Sequence, residues 1–93
     1  MKKIIVITTI QEPTEATLKF LSKKDWDVVV VGDLKTPHDS YQKLDCTYLT
    51  PEDQEKINKK LSDSIGWNCI QRRNMGFLFA YMEGVDILAT VDD

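Results

Sequence analysis

Ile4-Ile5-Val6-Ile7 is an unbroken β-branched run with no polar alternation, and Val28-Val29-Val30-Val31 repeats the pattern further along the chain. Such runs mark strands covered on both faces, and strands of that kind belong to parallel sheets whose crossovers carry helices. Between the two runs, Pro13 stands at the first turn of an expected helix. Leu18 and Leu21 then recur at helical spacing until Lys23-Lys24-Asp25 breaks the pattern. Strand, helix, strand is a crossover unit, and such units are almost always right-handed.

Outward from this unit, residues 34–45 turn polar, with Pro37, His38, Asp39 and Ser40 together, and read as a loop carrying a solvated histidine. A short strand is expected around Cys46-Thr47-Tyr48-Leu49. Thr50-Pro51-Glu52-Asp53 has the form of a helix start: a threonine cap, proline at the first position and an acid three residues after the cap. Ile57, Leu61 and Ile65 recur every fourth residue behind it, and Gly66 ends that helix. A last helix is predicted with Asn74 as its cap and Met75, Leu78, Phe79 and Met82 on one face, followed by Gly84 and a final strand over 86–91. The expected fold is therefore α/β, one domain over residues 1–93 built on a small doubly wound, mainly parallel four-stranded sheet. The predicted order is 3-2-1-4, with Thr9, Asp33 and Asp92 at one edge.

Ninety-three residues with 42% hydrophobic content support a single thin core. The net charge of −3 is weak and the lysines and arginines form no long block, so neither nucleic acid nor an anionic membrane is expected as a partner. Cys46 and Cys69 lack the short spacing of a zinc or redox pair and read as packed thiols. No stretch has the length of a membrane span or a signal peptide, so the expected compartment is cytoplasmic or otherwise soluble and reducing.

No glycine precedes Gly32, which excludes a dinucleotide fingerprint or P-loop in the turn Thr8-Thr9-Ile10-Gln11-Glu12. A diphosphate bound there needs another partner, and a divalent cation held by carboxylates supplies one. Thr90-Val91-Asp92-Asp93, an apolar strand running into paired carboxylates, offers the oxygen ligands at the end of a buried strand.

Arg72-Arg73-Asn74-Met75-Gly76, an apolar helix, Gly84-Val85-Asp86-Ile87 and a strand closing on Asp92-Asp93 together resemble the stretch leading to the metal-binding DxD motif of GT-A glycosyltransferases. The opening residues, Ile4 and Val6 to Ile10, and the segment from Trp26 to Gly32-Asp33 also resemble STELLO-like proteins and, more distantly, reversibly glycosylated polypeptides. The resemblance covers essentially the whole chain. It implies the nucleotide-binding, Rossmann-like half of a GT-A fold, taking a UDP-sugar with Mn²⁺ or Mg²⁺. Thr8, Thr9 and Ile10 would line the nucleoside pocket, and Asp33 would accept a hydrogen bond from uracil N3. Arg73 and Asn74 would face ribose or phosphates. Asp92 would bond the ribose or a metal-bound water, and Asp93 would approach the cation. The DxD pattern has a third position that this sequence does not contain. The resemblance assigns no catalytic residue, and the expectation is a truncated half-domain that does not turn over on its own.

Each of these residues also has a structural reading. Asp33 after Gly32 is equally a turn former, Thr8 and Thr9 equally end a strand, and Arg72 and Arg73 equally serve as solvated charges. Asp92-Asp93 is otherwise a polar tail. The competing functional expectation is a non-catalytic α/β interaction or oligomerisation module derived from a glycosyltransferase, self-associating through the exposed edge of its sheet.

Overall fold

The computed structural model describes residues 1–92. Its elements run β1 (Lys3–Thr9), α1 (Glu15–Leu21), β2 (Asp27–Gly32), α2 (His38–Gln42), β3 (Thr47–Leu49), α3 (Pro51–Ile65), a 3-10 turn (Ile70–Arg72), α4 (Arg73–Met82) and β4 (Ile87–Asp92). The sheet is parallel throughout in the order β3-β2-β1-β4, as the buried runs predict. Its register pairs Thr8 with Val31, Thr9 with Gly32 and Thr8 with Asp92. The carboxyl ends of β1, β2 and β4 therefore lie side by side.

The two-residue period of a strand explains why neither central run alternates in polarity. Ile4 and Val6 of β1, with Val29 and Val31 of β2, pack on one face beneath Met75, Ala80 and the flanking Ile57, Leu61 and Ile65. Ile5 and Ile7, with Val28 and Val30, pack on the other against Tyr41, Phe20, Leu21 and Trp26. Both faces are covered, so every position must be apolar. Each fully buried Ile or Val stabilises the fold by about 1.5–3 kcal/mol relative to exposure.

The helix starting at Pro51 has the predicted cap in full. Thr50 Oγ1 accepts the Asp53 N–H and Asp53 Oδ2 accepts the Thr50 N–H, each at 3.1 Å. Gly66 ends the helix with φ +79°, a left-handed conformation that glycine adopts without a side-chain clash. Midway, Asn58 leaves helical geometry, and its Oδ1 accepts the Leu61 N–H at 2.9 Å, capping the second half anew.

Four local expectations change. Residues 38–42 form a short helix inside the polar segment read as a loop, because Tyr41 is fully buried against the sheet and draws the segment down onto it. Pro13 lies just outside α1, where Thr14 is the cap and accepts the Thr17 N–H at 3.2 Å. That helix meets the core through Thr17, Phe20 and Leu21, leaving Leu18 exposed. The last helix is not capped by Asn74, since the 3-10 turn runs straight into it and leaves Asn74 exposed in the first turn.

The buried stripe of α4 is also rotated from the one expected, running through Met75, Gly76 and Ala80 while Met82 is exposed. Gly76 is the reason. A Cβ there would lie 2.5 Å from Val6 Cγ1 and 2.7 Å from Val31 Cγ2, so the helix backbone rests directly on the two central strands.

Candidate functional site

Chain order and strand order diverge at β1, since β2 and β3 continue to one side and β4 lies on the other. In open α/β sheets the crevice beyond the carboxyl ends of such strands is where ligands bind. A cavity of about 400 Å³ opens there, lined by Thr8, Thr9, Ile10, Gln11, Val31, Asp33, Lys35, Asn68, Cys69, Ile70 and Arg72. Its size lies within the usual range for small-molecule sites.

Hydroxyl groups hold the strand ends in place. Thr36 Oγ1 donates to the Thr9 carbonyl at 2.6 Å and accepts the Asp33 N–H at 2.7 Å, tying the exit of β2 to the end of β1. The turn after β1 is shaped by the Gln11 N–H donating to Thr9 Oγ1 at 3.0 Å and by Tyr41 OH donating to the Gln11 carbonyl at 2.7 Å. No glycine is needed in this turn because side chains supply its hydrogen bonds.

Asp33 is buried at the cavity floor. Its Oδ1 accepts the Leu34 N–H at 2.6 Å and its Oδ2 accepts the Asn68 N–H at 2.8 Å. The turn-forming reading of Asp33 is therefore realised, and more besides, because the second bond fixes the loop after α3 as a cavity wall. Each carboxylate oxygen can accept a further donor, so this structural duty leaves capacity for a ligand N–H.

Arg72 departs most from its sequence reading as a solvated charge. It is 1% exposed. Its Nε and Nη2 donate to Gln54 Oε1, its Nη1 to the carbonyls of Ser62 at 3.0 Å and Gly66 at 3.1 Å, and its Nη2 also to Ser62 Oγ at 2.9 Å. The guanidinium lies over the Trp67 ring, 3.8 Å from its centre. Gln54 is equally buried and donates its amide to the carbonyls of Gly32 at 2.7 Å and Leu49 at 2.9 Å. This network joins α3, the 3-10 turn and the end of β2. A sequence signal for it existed: Gln54 falls three residues before Ile57 on the apolar stripe of its helix.

Thr8, Thr9, Ile10 and Asp33, the predicted nucleoside-pocket residues, thus converge on one cavity. Arg73 and Asn74 do not line it, because the 3-10 turn extends the helix backwards and presents Ile70 and Arg72 there instead. Gln11, Lys35, Asn68, Cys69, Ile70 and Arg72 are lining residues that the sequence reading did not assign. The backbone of Asp92 pairs beside Thr8. Its carboxylate and the whole of Asp93, to which the cation was assigned, lie outside the described residues. Among the described residues no three His, Cys, Asp or Glu side chains are grouped to hold a metal ion, and no helix is long and apolar enough to cross a membrane.

No family model matches the chain, and no solved structure matches it. Curated relatives do. The chain is 28% identical over 92 residues to "Probable glycosyltransferase STELLO2" of Arabidopsis thaliana, covering 99% of this chain and 12% of that protein. It is 26% identical over 92 residues to "Probable glycosyltransferase STELLO1" of the same plant, with the same coverage. The chain therefore spans about an eighth of the length of these relatives. Similarity that runs from end to end of the chain supports a glycosyltransferase-like relationship.

Proposed function

We propose that this chain is a nucleotide-sugar-binding domain of GT-A type, with the nucleoside of a UDP-sugar seated at the carboxyl edge of the sheet. The observation that carries the reading is the convergence of Thr8, Thr9, Ile10 and Asp33 on one cavity at the point where strand order reverses. The relationship to glycosyltransferases supplies the ligand class. In this reading Asp33 accepts a hydrogen bond from uracil N3. Thr8, Thr9 and Ile10 flank the nucleoside, and Arg73, Asn74 and Asp92 serve ribose or phosphates beyond the cavity. Hard carboxylate oxygens at Asp92 and Asp93 suit Mn²⁺ or Mg²⁺, which would neutralise diphosphate charge when bound. In this reading the domain is the nucleotide-binding part of a transferase.

Titration of UDP into isotopically labelled protein, with and without Mn²⁺, tests this reading. Amide shifts are expected at residues 8–11, at Asp33 and at residues 68–70. Removing one charge-assisted bond of about 1.5–3 kcal/mol, as in Asp33→Ala, should weaken UDP roughly ten- to a hundredfold. Absence of binding at millimolar UDP, or shifts confined to the opposite edge of the sheet, would reject it.

A further inference from the structure

Ile10 and Ile70 are both half-exposed, at 54% and 46%, and both line the cavity at the carboxyl edge of the sheet. One exposed isoleucine by itself carries no information, because much of any folded surface is apolar. These two, however, reach the cavity from opposite layers of the fold. Ile10 lies in the connection from β1 to α1, and α1 covers the face of the sheet formed by Ile5, Ile7, Val28 and Val30. Ile70 lies in the connection from α3 to α4, the helices that cover the other face. Asp33, just past the end of β2 and between the two layers, supplies the buried carboxylate at the floor.

Both isoleucines sit on segments held in place by hydrogen bonds. The residue after Ile10, Gln11, donates its N–H to Thr9 Oγ1 at 3.0 Å and accepts Tyr41 OH through its carbonyl at 2.7 Å. On the other side, the Asn68 N–H is held by Asp33 Oδ2 at 2.8 Å, and the Arg72 N–H donates to the Cys69 carbonyl at 3.2 Å. The Arg72 guanidinium, tied to Gln54, Ser62 and Gly66, fixes the turn that carries Ile70. Two fixed apolar walls over one acceptor make a slot, in which the walls select shape and the carboxylate sets orientation. We infer that Ile10 and Ile70 grip the two faces of a flat base ring, so that the site selects a planar pyrimidine over a puckered one with the same hydrogen-bonding edge. The inference rests on the nucleotide reading above and adds Ile70 to it as a specificity-determining residue. Two saturated carbons in the ring thicken it against one wall, while the N–H offered to Asp33 is unchanged.

The test compares UDP with 5,6-dihydro-UDP, which keeps the N3–H and both carbonyls of the base but loses its planarity. Calorimetry on the wild type is expected to show UDP binding about tenfold more tightly than the dihydro form. Ile70→Ser should weaken UDP about tenfold and reduce the preference to about twofold or less, whereas Ile70→Leu should keep both within about threefold. Met82→Ser, which removes an exposed apolar side chain outside the cavity lining, should change neither. In wild-type protein with isotopically labelled isoleucine methyls, bound UDP should give nuclear Overhauser contacts from uracil H5 and H6 to both Ile10 and Ile70. Contacts to one isoleucine only, equal affinity for the two nucleotides, or a preference that survives Ile70→Ser would overturn the inference and leave the nucleotide reading standing. If Ile70→Ser does not fold, the wild-type contacts and the wild-type preference decide. Binding with contacts to neither isoleucine, or no binding at millimolar UDP, defeats both.

Discussion

Asp33 Oδ2 accepts the backbone N–H of Asn68 at 2.8 Å, joining the exit of β2 to the loop that follows α3. The bond is buried on the Asp33 side, and the loop it holds adopts φ +60° at Asn68, a left-handed conformation that asparagine tolerates better than most residues other than glycine. One carboxylate thereby fixes the floor and one wall of the candidate site.

Replacing Asp33 by alanine should destabilise the domain by about 2–3 kcal/mol in urea denaturation, the scale for hydrogen bonds to a charged group. Amide exchange at Asn68 should accelerate more than exchange in β1 or β2. Unchanged protection at Asn68 would show that the loop is held by other contacts.

Gly76→Ala exchanges a poor helix former for the best one, which favours the helix by about 1 kcal/mol. Against this, the new methyl would stand 2.5 Å from Val6 Cγ1 and 2.7 Å from Val31 Cγ2. Overpacking of that kind costs about 1–3 kcal/mol, so the expected sum is a net loss of about 1 kcal/mol. Asn74→Ala, exposed on the same helix, should change stability by less than about 0.5 kcal/mol. Equal urea midpoints for the two variants would contradict the close approach.

Tyr48 is expected to contribute to the loss of stability at high pH. Burial pushes its pKa from 10.0 up to about 12; its hydrogen bond with Thr36 opposes this, and Tyr41, Asp53 and Cys46 add smaller upward pushes. Its hydroxyl also bonds His38 Nδ1, and its ring stacks on Tyr41 with centres 5.5 Å apart. Between pH 10 and 12 the unfolded chain gives up this proton while the folded chain keeps it. The associated stability is complete below pH 10 and lost as pH rises through 12. Denaturation midpoints should fall over that window in the wild type and fall less in Tyr48→Phe. An identical decline in both would reject Tyr48 as the cause.

β4 is an edge strand, and Ile87 and Leu88, which point to opposite faces, are each 41% exposed. Unpaired edges with apolar side chains favour association, so the domain is expected to form a dimer or larger species in solution. Light scattering should report this state, and Leu88→Lys should shift it towards monomer. A wild type that stays monomeric at high concentration would exclude the edge as an interface.

The sheet was legible in the sequence because its evidence is local. Two four-residue β-branched runs without alternation define central parallel strands, and Thr50-Pro51-Glu52-Asp53 carries all the chemistry its helix start requires. The right-handed crossover rule then leaves few topologies, and the one expected is the one observed. Thr8, Thr9 and Asp33 were legible for the same reason, since they are the first residues at or beyond the ends of those strands.

Tertiary structure alone decided the rest, because burial is a property of neighbours distant in the chain. Nothing adjacent to Arg72 marks it as the buried member of the Arg72-Arg73 pair. Its partners Gln54 and Ser62 belong to another helix, and only their convergence turns a surface residue type into a buried cation. In the same way, Tyr41 folds a polar segment into a helix by packing on the sheet, and Gly76 rotates α4 by letting it touch Val6 and Val31. Periodicity says that a helix has an apolar side. Which part of that side meets the sheet is set by where the backbones can approach most closely.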